Sequence, residues 1–472
     1  MDTVIRGGVV TTAEGQLRAD VGIRDGRVAA VAEELPLGDA EVVDARGCWV
    51  LPGAVDVHTH FADDSEAEVT ADDYRTGSLA AAFGGVTSFV NYAFQAPGES
   101  PLATVERERS KGEVGVYGDY GIHLVLTDVT VPGLFDELSM LQGTGVTSLK
   151  VFTTVAGCRL QDSEILAVLA AAKKLQLMVA VHAEDDGLVT FETERLLREG
   201  ATSVRYLPYA RPALAEAAAT AKMAWYARAL DVPIYVVHLS SKLALDAVRA
   251  ARLDGARVFV ETRPAYLFMD QTRYESPGLT GQRFVCWPPL RTAEDQQALW
   301  TGIAKGEIQT YATDHTSWPL AHKERPGLRF DEVPAGFANV ETSLGMLLCE
   351  GVLRGRITAS QAVAVAITNP AKLFGLWPRK GTLSPGADAD LVIFDPKHLY
   401  QVQSELMHSA SDYDPYEGYE AQGWPVVTFL RGRRIVDHGE LVQTEPTGRY
   451  LERGPSGSLF PDAPEAHRAQ VK

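Results

Sequence analysis

Four histidines, a lysine and an aspartate stand at or near the ends of short apolar segments, and such residues bind transition metals. His58 and His60 close the segment 51–60, where a spacing of two places both side chains on one face of a strand. Lys150 lies inside the apolar run 147–152. The other three residues end the runs 178–182, 234–238 and 309–314: His182, His238 and Asp314. If these strand ends meet, the six residues predict a metal centre.

The segments that carry these residues belong to a repeating strand–helix pattern over residues 53–375. The candidate strands are 54–58, 86–91, 121–126, 147–152, 178–182, 234–238, 257–262 and 309–313. Helical patterns lie between them, for example at 72–83, 164–175, 213–229 and 242–251. A doubly wound open sheet is the alternative, but no GxGxxG follows a strand. Eight such units predict an α/β fold, a (β/α)8 TIM barrel whose carboxyl strand ends converge on one open face.

Both chain ends have a different, all-β pattern. Residues 3–50 include a hairpin turn at Asp25-Gly26, and strands recur at 390–395 and 426–436. We therefore expect one small β-sandwich domain built from both ends, with residues 1–52 as its first part and 376–442 as its second. Residues 443–472 form a C-terminal extension, which from Gly454 onward we expect to reach a neighbouring subunit or to be loosely ordered.

Composition limits the classes of partner. The chain has 472 residues, with 44 basic and 62 acidic side chains and a net charge of −18. This balance argues against a nucleic-acid partner and against binding to anionic membrane. The four cysteines lack metal-site or disulfide spacing, and the chain opens without a basic leader and apolar core, so we expect a cytoplasmic protein.

Lys150 is the unusual member of the set. A buried ammonium beside two divalent cations is disfavoured by desolvation and by like charge. The neutral amine favoured there can react with CO2 to give a carbamate. N6-carboxylation would make Lys150 an anionic oxygen ligand able to bridge two metals.

Longer motifs extend this pattern along nearly the whole chain. They are PGAVDVHTH, TADDYRTGSLAAAFGGVTSF, SLKVF, VHAEDD, VHLSS, ETRPAYL, PPLR, ATDH and GADADLVIFDP. Together they resemble the amidohydrolase superfamily and, within it, the cyclic amidohydrolases of the hydantoinase and dihydropyrimidinase group. The resemblance implies a metal-dependent hydrolase that opens a C–N bond in a small cyclic amide, imide or ureide. It also implies two divalent metal ions, zinc first among them, and a homotetramer in the cytoplasm.

The resemblance also implies a role for each ligand. His58, His60 and Asp314 would bind the more buried metal, His182 and His238 the more exposed one, and carboxylated Lys150 would bridge them. Asp314 would also be the catalytic residue that accepts a proton from the attacking water and passes it to the leaving nitrogen.

The ring-binding positions depart from the hydantoinase pattern. Val155 stands in place of a tyrosine, Trp287 in place of a serine and Ala335 in place of an asparagine. The family's TCPHYL-like run reads TRPAYL, with Arg263 and Ala265 changed. Since lost hydrogen-bond partners strongly reduce turnover, we expect weak or no activity on hydantoin and dihydrouracil.

The loop after the first barrel strand adds a charged feature. Within six residues it carries four acidic side chains: Asp63, Asp64, Glu66 and Glu68. A charge run usually faces water. The functional interpretation is that Asp63 and Asp64 reach a bound substituent and favour a polar or cationic one.

Three other functions are compared with these motifs: allantoinase, dihydroorotase and a non-catalytic scaffold. An allantoinase-like ureide hydrolase stays open, because that branch also lacks the tyrosine. A dihydroorotase would carry arginine two residues after the second histidine, where this chain has Ala62. A non-catalytic assembly scaffold of the same superfamily would have lost metal ligands, whereas all six are present here.

Overall fold

A computed structural model describes residues 1–65 and 68–455 of the chain. The first five strands are β1 (Thr3–Thr12), β2 (Gly15–Arg24), β3 (Arg27–Ala32), β4 (Glu41–Asp44) and β5 (Trp49–Pro52). Eight follow: β6 (Ala54–Thr59), β7 (Val86–Phe94), β8 (Asp119–Val125), β9 (Ser148–Phe152), β10 (Met178–His182), β11 (Ile234–Val236), β12 (Val258–Thr262) and β13 (Thr310–Tyr311). The last four are β14 (Leu391–Gln401), β15 (Glu420–Leu430), β16 (Arg433–Asp437) and β17 (Glu440–Leu441).

Strands β6 to β13 form a parallel barrel in which each strand pairs with the next one along the chain. The barrel is closed beyond the last strand, where the His60 amide donates to the His315 carbonyl at 2.9 Å. Apolar side chains such as Val57, Val90 and Ala180 fill its interior. The predicted eight-stranded barrel is confirmed.

Helices surround the barrel and pack their apolar faces on the strands. They are α1 (Tyr74–Phe83), α2 (Pro101–Lys111), α3 (Leu134–Leu138), α4 (Asp162–Leu175), α5 (Asp186–Arg198), α6 (Leu207–Ala210), α7 (Ala213–Leu230), α8 (Lys242–Leu253), α9 (Pro264–Phe268), α10 (Ala293–Ala304), α11 (Leu320–Lys323), α12 (Val340–Met346), α13 (Ala359–Val363) and α14 (Asn369–Leu373). Shorter 3-10 turns occur in several connections, and π-helical turns extend α12 over Leu347–Leu353 and α13 over Ala364–Thr368. The helix positions follow side-chain chemistry: the Asp73 carboxylate caps α1 while its own amide donates to the Thr76 hydroxyl, and Ser241 caps α8.

The two chain ends share one nine-stranded sheet, as the sequence predicts. β5 joins them, pairing in parallel with β1 and antiparallel with β14. The sheet has an apolar core of its own, to which Ile5, Val21, Ile393 and Phe429 contribute. The sheet also packs against helices that cover the barrel, with β15 on α12 and β1 on α13.

The segment after β17 returns to the barrel of its own chain. The Leu451 amide donates to the Tyr120 carbonyl at 2.6 Å, and Arg453 is buried against Ile122 and Ser148. The start of the C-terminal extension is therefore fixed by contacts within the chain, and residues 456–472 of that prediction lie outside the described residues. No helix among the described residues is both long and apolar enough to cross a membrane.

Candidate active site

Five of the six residues picked out by their spacing lie at or next to the carboxyl ends of barrel strands, and Lys150 lies within β9. His182 is the last residue of β10, while His238 and Asp314 follow the ends of β11 and β13. Both of these have positive φ angles, 38° and 51°, which are uncommon for residues other than glycine and cluster at functional sites. Burial of these side chains in the barrel mouth excludes most of the water from them.

Three of the six form a compact group. The Nε2 atoms of His58 and His60 lie 3.1 and 3.2 Å from the same Asp314 oxygen, Oδ1. Their ligand atoms all lie within 4.8 Å of one another, close enough to hold one metal ion. Burial opposes a charge on His60, but its hydrogen bonds to Asp314 and Asp63 prevail and raise its pKa to about 9.

The other three complete the mouth of the barrel. His182 Nδ1 and His238 Nε2 are 3.0 Å apart, and the His238 ring centroid is 5.5 Å from that of His58. Burial lowers the pKa of both His182 and His238, which favours the neutral imidazole that binds metals. His238 Nδ1 is buried without a hydrogen-bond partner among the described residues.

Lys150 extends from the middle of β9 into this group. Its Nζ lies 4.9 Å from the centre of the Tyr92 ring and 5.0 Å from that of Phe152. Burial lowers its pKa to about 8, despite the opposing attraction of Glu261 and Asp314. A substantial fraction of the side chain is therefore the neutral, nucleophilic amine at mildly alkaline pH.

Buried carboxylates orient the histidines from behind. Glu261 Oε1 lies 2.6 Å from His58 Nδ1, and Asp63 Oδ2 lies 2.7 Å from His60 Nδ1. With Nδ1 donating to the carboxylate behind it, the Nε2 lone pair of each ring would be available to a bound metal. Histidines that bind metals are commonly supported in this way.

His182 is also oriented by a buried carboxylate, and that carboxylate is itself held by an arginine. Its Nε2 lies 2.8 Å from Glu184, which is fully buried and paired with Arg211. Burial raises the pKa of Glu184, but Arg211 and His182 outweigh it and lower that pKa to about 2. The Arg211 guanidinium in turn lies 4.5 Å above the Trp287 ring, which lines the cleft.

An open cleft of about 1090 Å³ leads to the group. Its walls include three residues at the altered ring-binding positions, namely Val155, Trp287 and Ala335. Val155 has a φ of 79°, and the Ala335 carbonyl accepts a hydrogen bond from Trp318 Nε1 at 2.8 Å. The sequence-predicted pocket positions thus border the same space as the predicted metal ligands.

The acidic side chains of the loop after β6 make contacts other than those expected of a substrate-binding loop. Asp63 borders the cleft, but it is buried and bonded to His60. Asp64 does not line the cleft, because Arg107 and Lys111 hold its carboxylate at 3.4 and 3.3 Å. Glu68 pairs with His322, and Glu66 lies outside the described residues. In the structure Asp63 orients a histidine and Asp64 pairs with bases on α2, while their contact with a bound substituent stays a prediction.

Asp72 begins the predicted helical pattern 72–83, but α1 itself starts at Tyr74. Asp73 does cap the helix, but Asp72 is fully buried and accepts from His315 Nε2 at 2.9 Å. It also accepts from Ser409 and from the Ala410 amide. Asp72 thereby ties the strand that carries Asp314 to a distant loop.

Sequence reasoning missed two carboxylates that touch the predicted ligands, Glu261 and Glu184, and it named Arg263 only as a changed residue of the family's run. Glu261 stands near the end of β12 one residue before Thr262, and its position in a buried strand was the available signal. Arg263 is the residue after Thr262. It is completely buried, and its Nη1 donates to Asp314 Oδ2. The Arg263 charge counteracts burial and helps hold the pKa of Asp314 well below its usual range.

Comparison with known proteins places this geometry in a family. A model of the amidohydrolase family matches residues 49–435. The chain is 36% identical to a D-hydantoinase of Geobacillus stearothermophilus, over 98% of each chain. It is 37% identical to a D-hydantoinase of Ralstonia pickettii, over 96% of this chain and 99% of that one. A crystal structure of dihydropyrimidinase from Brevibacillus agri superposes with a TM-score of 0.93 at 36% identity, covering 96% and 99% of the two chains.

Proposed function

Because this chain belongs to the amidohydrolase family, we propose that it is a metal-dependent hydrolase that opens the C–N bond of a small cyclic amide, imide or ureide. The observation that carries the proposal is the group formed by His58, His60 and Asp314, whose ligand atoms lie within 4.8 Å of one another at the base of an open cleft. Relatives with full-length similarity are named D-hydantoinases, which supports the same reaction class.

The residues fit a pair of divalent metal ions. His58, His60 and Asp314 would hold one, and His182 and His238 the other, with Lys150 as the bridge after carboxylation. Neutral imidazoles and carboxylate oxygens are the donors that zinc accepts. When bound, such metals acidify a water molecule and polarise the carbonyl under attack.

Lys150 has the properties that carbamate formation requires. The neutral amine attacks CO2, a new N–C bond forms and one proton leaves, giving an anionic carbamate. Burial favours the neutral amine, as the lowered pKa of about 8 indicates.

Asp314 is suited to move the proton. It lies among the predicted ligands, and its second oxygen is held by Arg263, so its orientation is defined. We infer that it takes a proton from the attacking water and delivers it to the ring nitrogen that leaves. The altered residues Val155 and Trp287 cannot bind the ring as a tyrosine and a serine would, so the preferred ring differs from plain hydantoin. A homotetramer and a cytoplasmic location complete the proposal.

A substrate panel tests this function. Zinc-loaded protein would be assayed with hydantoin, dihydrouracil, allantoin and substituted cyclic imides, by detecting the ring-opened acid. We expect turnover of at least one substituted ring, and for hydantoin and dihydrouracil a kcat/KM below about 10⁴ M⁻¹s⁻¹. Lys150→Ala is the matched control, and it should lose both metal and turnover. Full metal content and unchanged turnover in that variant would contradict the role of Lys150. Absence of metal and of all turnover in the wild type would favour a scaffold.

A further inference from the structure

Arg263 differs from the other arginines that line the cleft. Arg159, Arg211 and Arg325 are each paired with a carboxylate, and Arg159 and Arg325 are partly exposed. Arg263 is 0% exposed and is bonded only through Nη1, to Asp314. Among the described residues, its Nε and Nη2 atoms are buried and have no hydrogen-bond partner.

The two unpartnered atoms form a defined recognition element. Nε and Nη2 lie on one edge of the planar guanidinium and point their N–H bonds in parallel. The Phe337 and Tyr266 rings pack beside the guanidinium, with their centroids 5.1 and 5.5 Å from its carbon. The free edge matches the two oxygens of a carboxylate, which it can bind through two charge-assisted hydrogen bonds. Buried donors left unpaired are costly, so a ligand that satisfies both gains affinity.

The position of this edge limits where the carboxylate can be. Arg263 contacts Asp314, which must lie against the reacting ring to serve the leaving nitrogen. A carboxylate that reaches Arg263 is therefore attached to the ring directly or through a short linker. We propose that Arg263 is a specificity-determining residue and that the substrate is a cyclic amide bearing a carboxylate substituent. This inference rests on the proposed function for the use of the cleft as a substrate site.

Binding to metal-free protein tests the proposal without turnover. The probes are hydantoin-5-acetate and its neutral isostere hydantoin-5-acetamide, measured by isothermal titration calorimetry. We expect the acetate to bind at least about ten-fold more tightly than the acetamide in the wild type. In Arg263→Gln the acetate and the acetamide should bind with about equal affinity. Arg263→Lys keeps a cation beside Asp314 but lacks the parallel donors, and should lower the ratio at least about three-fold.

Arg159→Gln is the matched control, because it removes another arginine of the same cleft. Circular dichroism would show that each variant is folded. Equal binding of the two probes by the wild type would overturn the proposal, as would a carboxylate preference that survives in Arg263→Gln and disappears in Arg159→Gln. A preference that depends on Arg263, combined with no turnover by the zinc-loaded enzyme, would refute the proposed function and leave only the recognition of a carboxylate by Arg263 standing.

Discussion

Replacement of Glu261 by glutamine tests how far metal binding depends on the residues behind the ligands. Glu261 is 0% exposed and accepts three hydrogen bonds: from His58 Nδ1 at 2.6 Å, from the His238 amide at 2.8 Å and from the Tyr235 hydroxyl at 2.8 Å. Glutamine has nearly the same shape, so Glu261→Gln changes charge and donor pattern and leaves the packing unaltered.

The size of the effect follows from these contacts. If the glutamine oxygen keeps its bonds to His58 and His238, the NH2 group faces Tyr235, whose hydroxyl can turn toward Thr310 at 2.5 Å. His58 then loses only the anionic character of its partner. Loss of such a partner lowers metal affinity about 10- to 100-fold, equivalent to about 1.4–2.7 kcal/mol. If the amide turns the other way, the proton of His58 moves to Nε2 and removes the lone pair that a metal needs, so the loss would be larger.

The assay is competition for zinc between the protein and a chromophoric chelator. Glu216→Gln is the control, because Glu216 is also buried and fully bonded, but to Ser240 and Ser241 instead of a histidine. The control should leave zinc affinity within about three-fold of the wild type, the usual scatter of such effects. Equal zinc affinity in Glu261→Gln and the wild type would refute the reasoning that this carboxylate fixes the tautomer of His58.

Two further predictions concern carboxylates with contrasting environments. Asp63→Asn should weaken zinc binding by about ten-fold, because Asp63 supports His60. Asp64→Asn removes only an exposed ion pair and should leave zinc binding nearly unchanged. Equal losses in both variants would contradict this prediction. Burial raises the pKa of Asp414 to about 8, above its unfolded value. Its protonated form therefore stabilises the fold at low pH, and this contribution is lost as pH rises through about 4 to 8, by up to about 1.4 kcal/mol per pH unit. Asp414→Asn should flatten that slope in urea unfolding measured across this range, and an unchanged slope would show that another group titrates there.

Much of the barrel could be predicted from local sequence. Apolar runs of five or six residues, such as the one ending at His182, have to be buried strands, and amphipathic stretches between them have to cover those strands. The rule that carboxyl strand ends meet on one face then brings His58, Lys150 and Asp314 together before any coordinates are known. The error lay mainly in strand length: the last strand is only Thr310–Tyr311, and Asp314 lies beyond its end with a positive φ.

The residues that support and surround these side chains depended on the tertiary structure. Glu261 lies more than 200 positions from His58 along the chain, and only closure of the barrel brings the two within 2.6 Å. Asp63 and Asp64 are adjacent and chemically identical, yet one turns inward to His60 and the other outward to Arg107. Sequence determines residue type and strand alternation, which are local properties. Burial and pairing of charges depend on contacts between distant segments, so only the folded chain decided which acids act on the metal ligands and which meet the solvent.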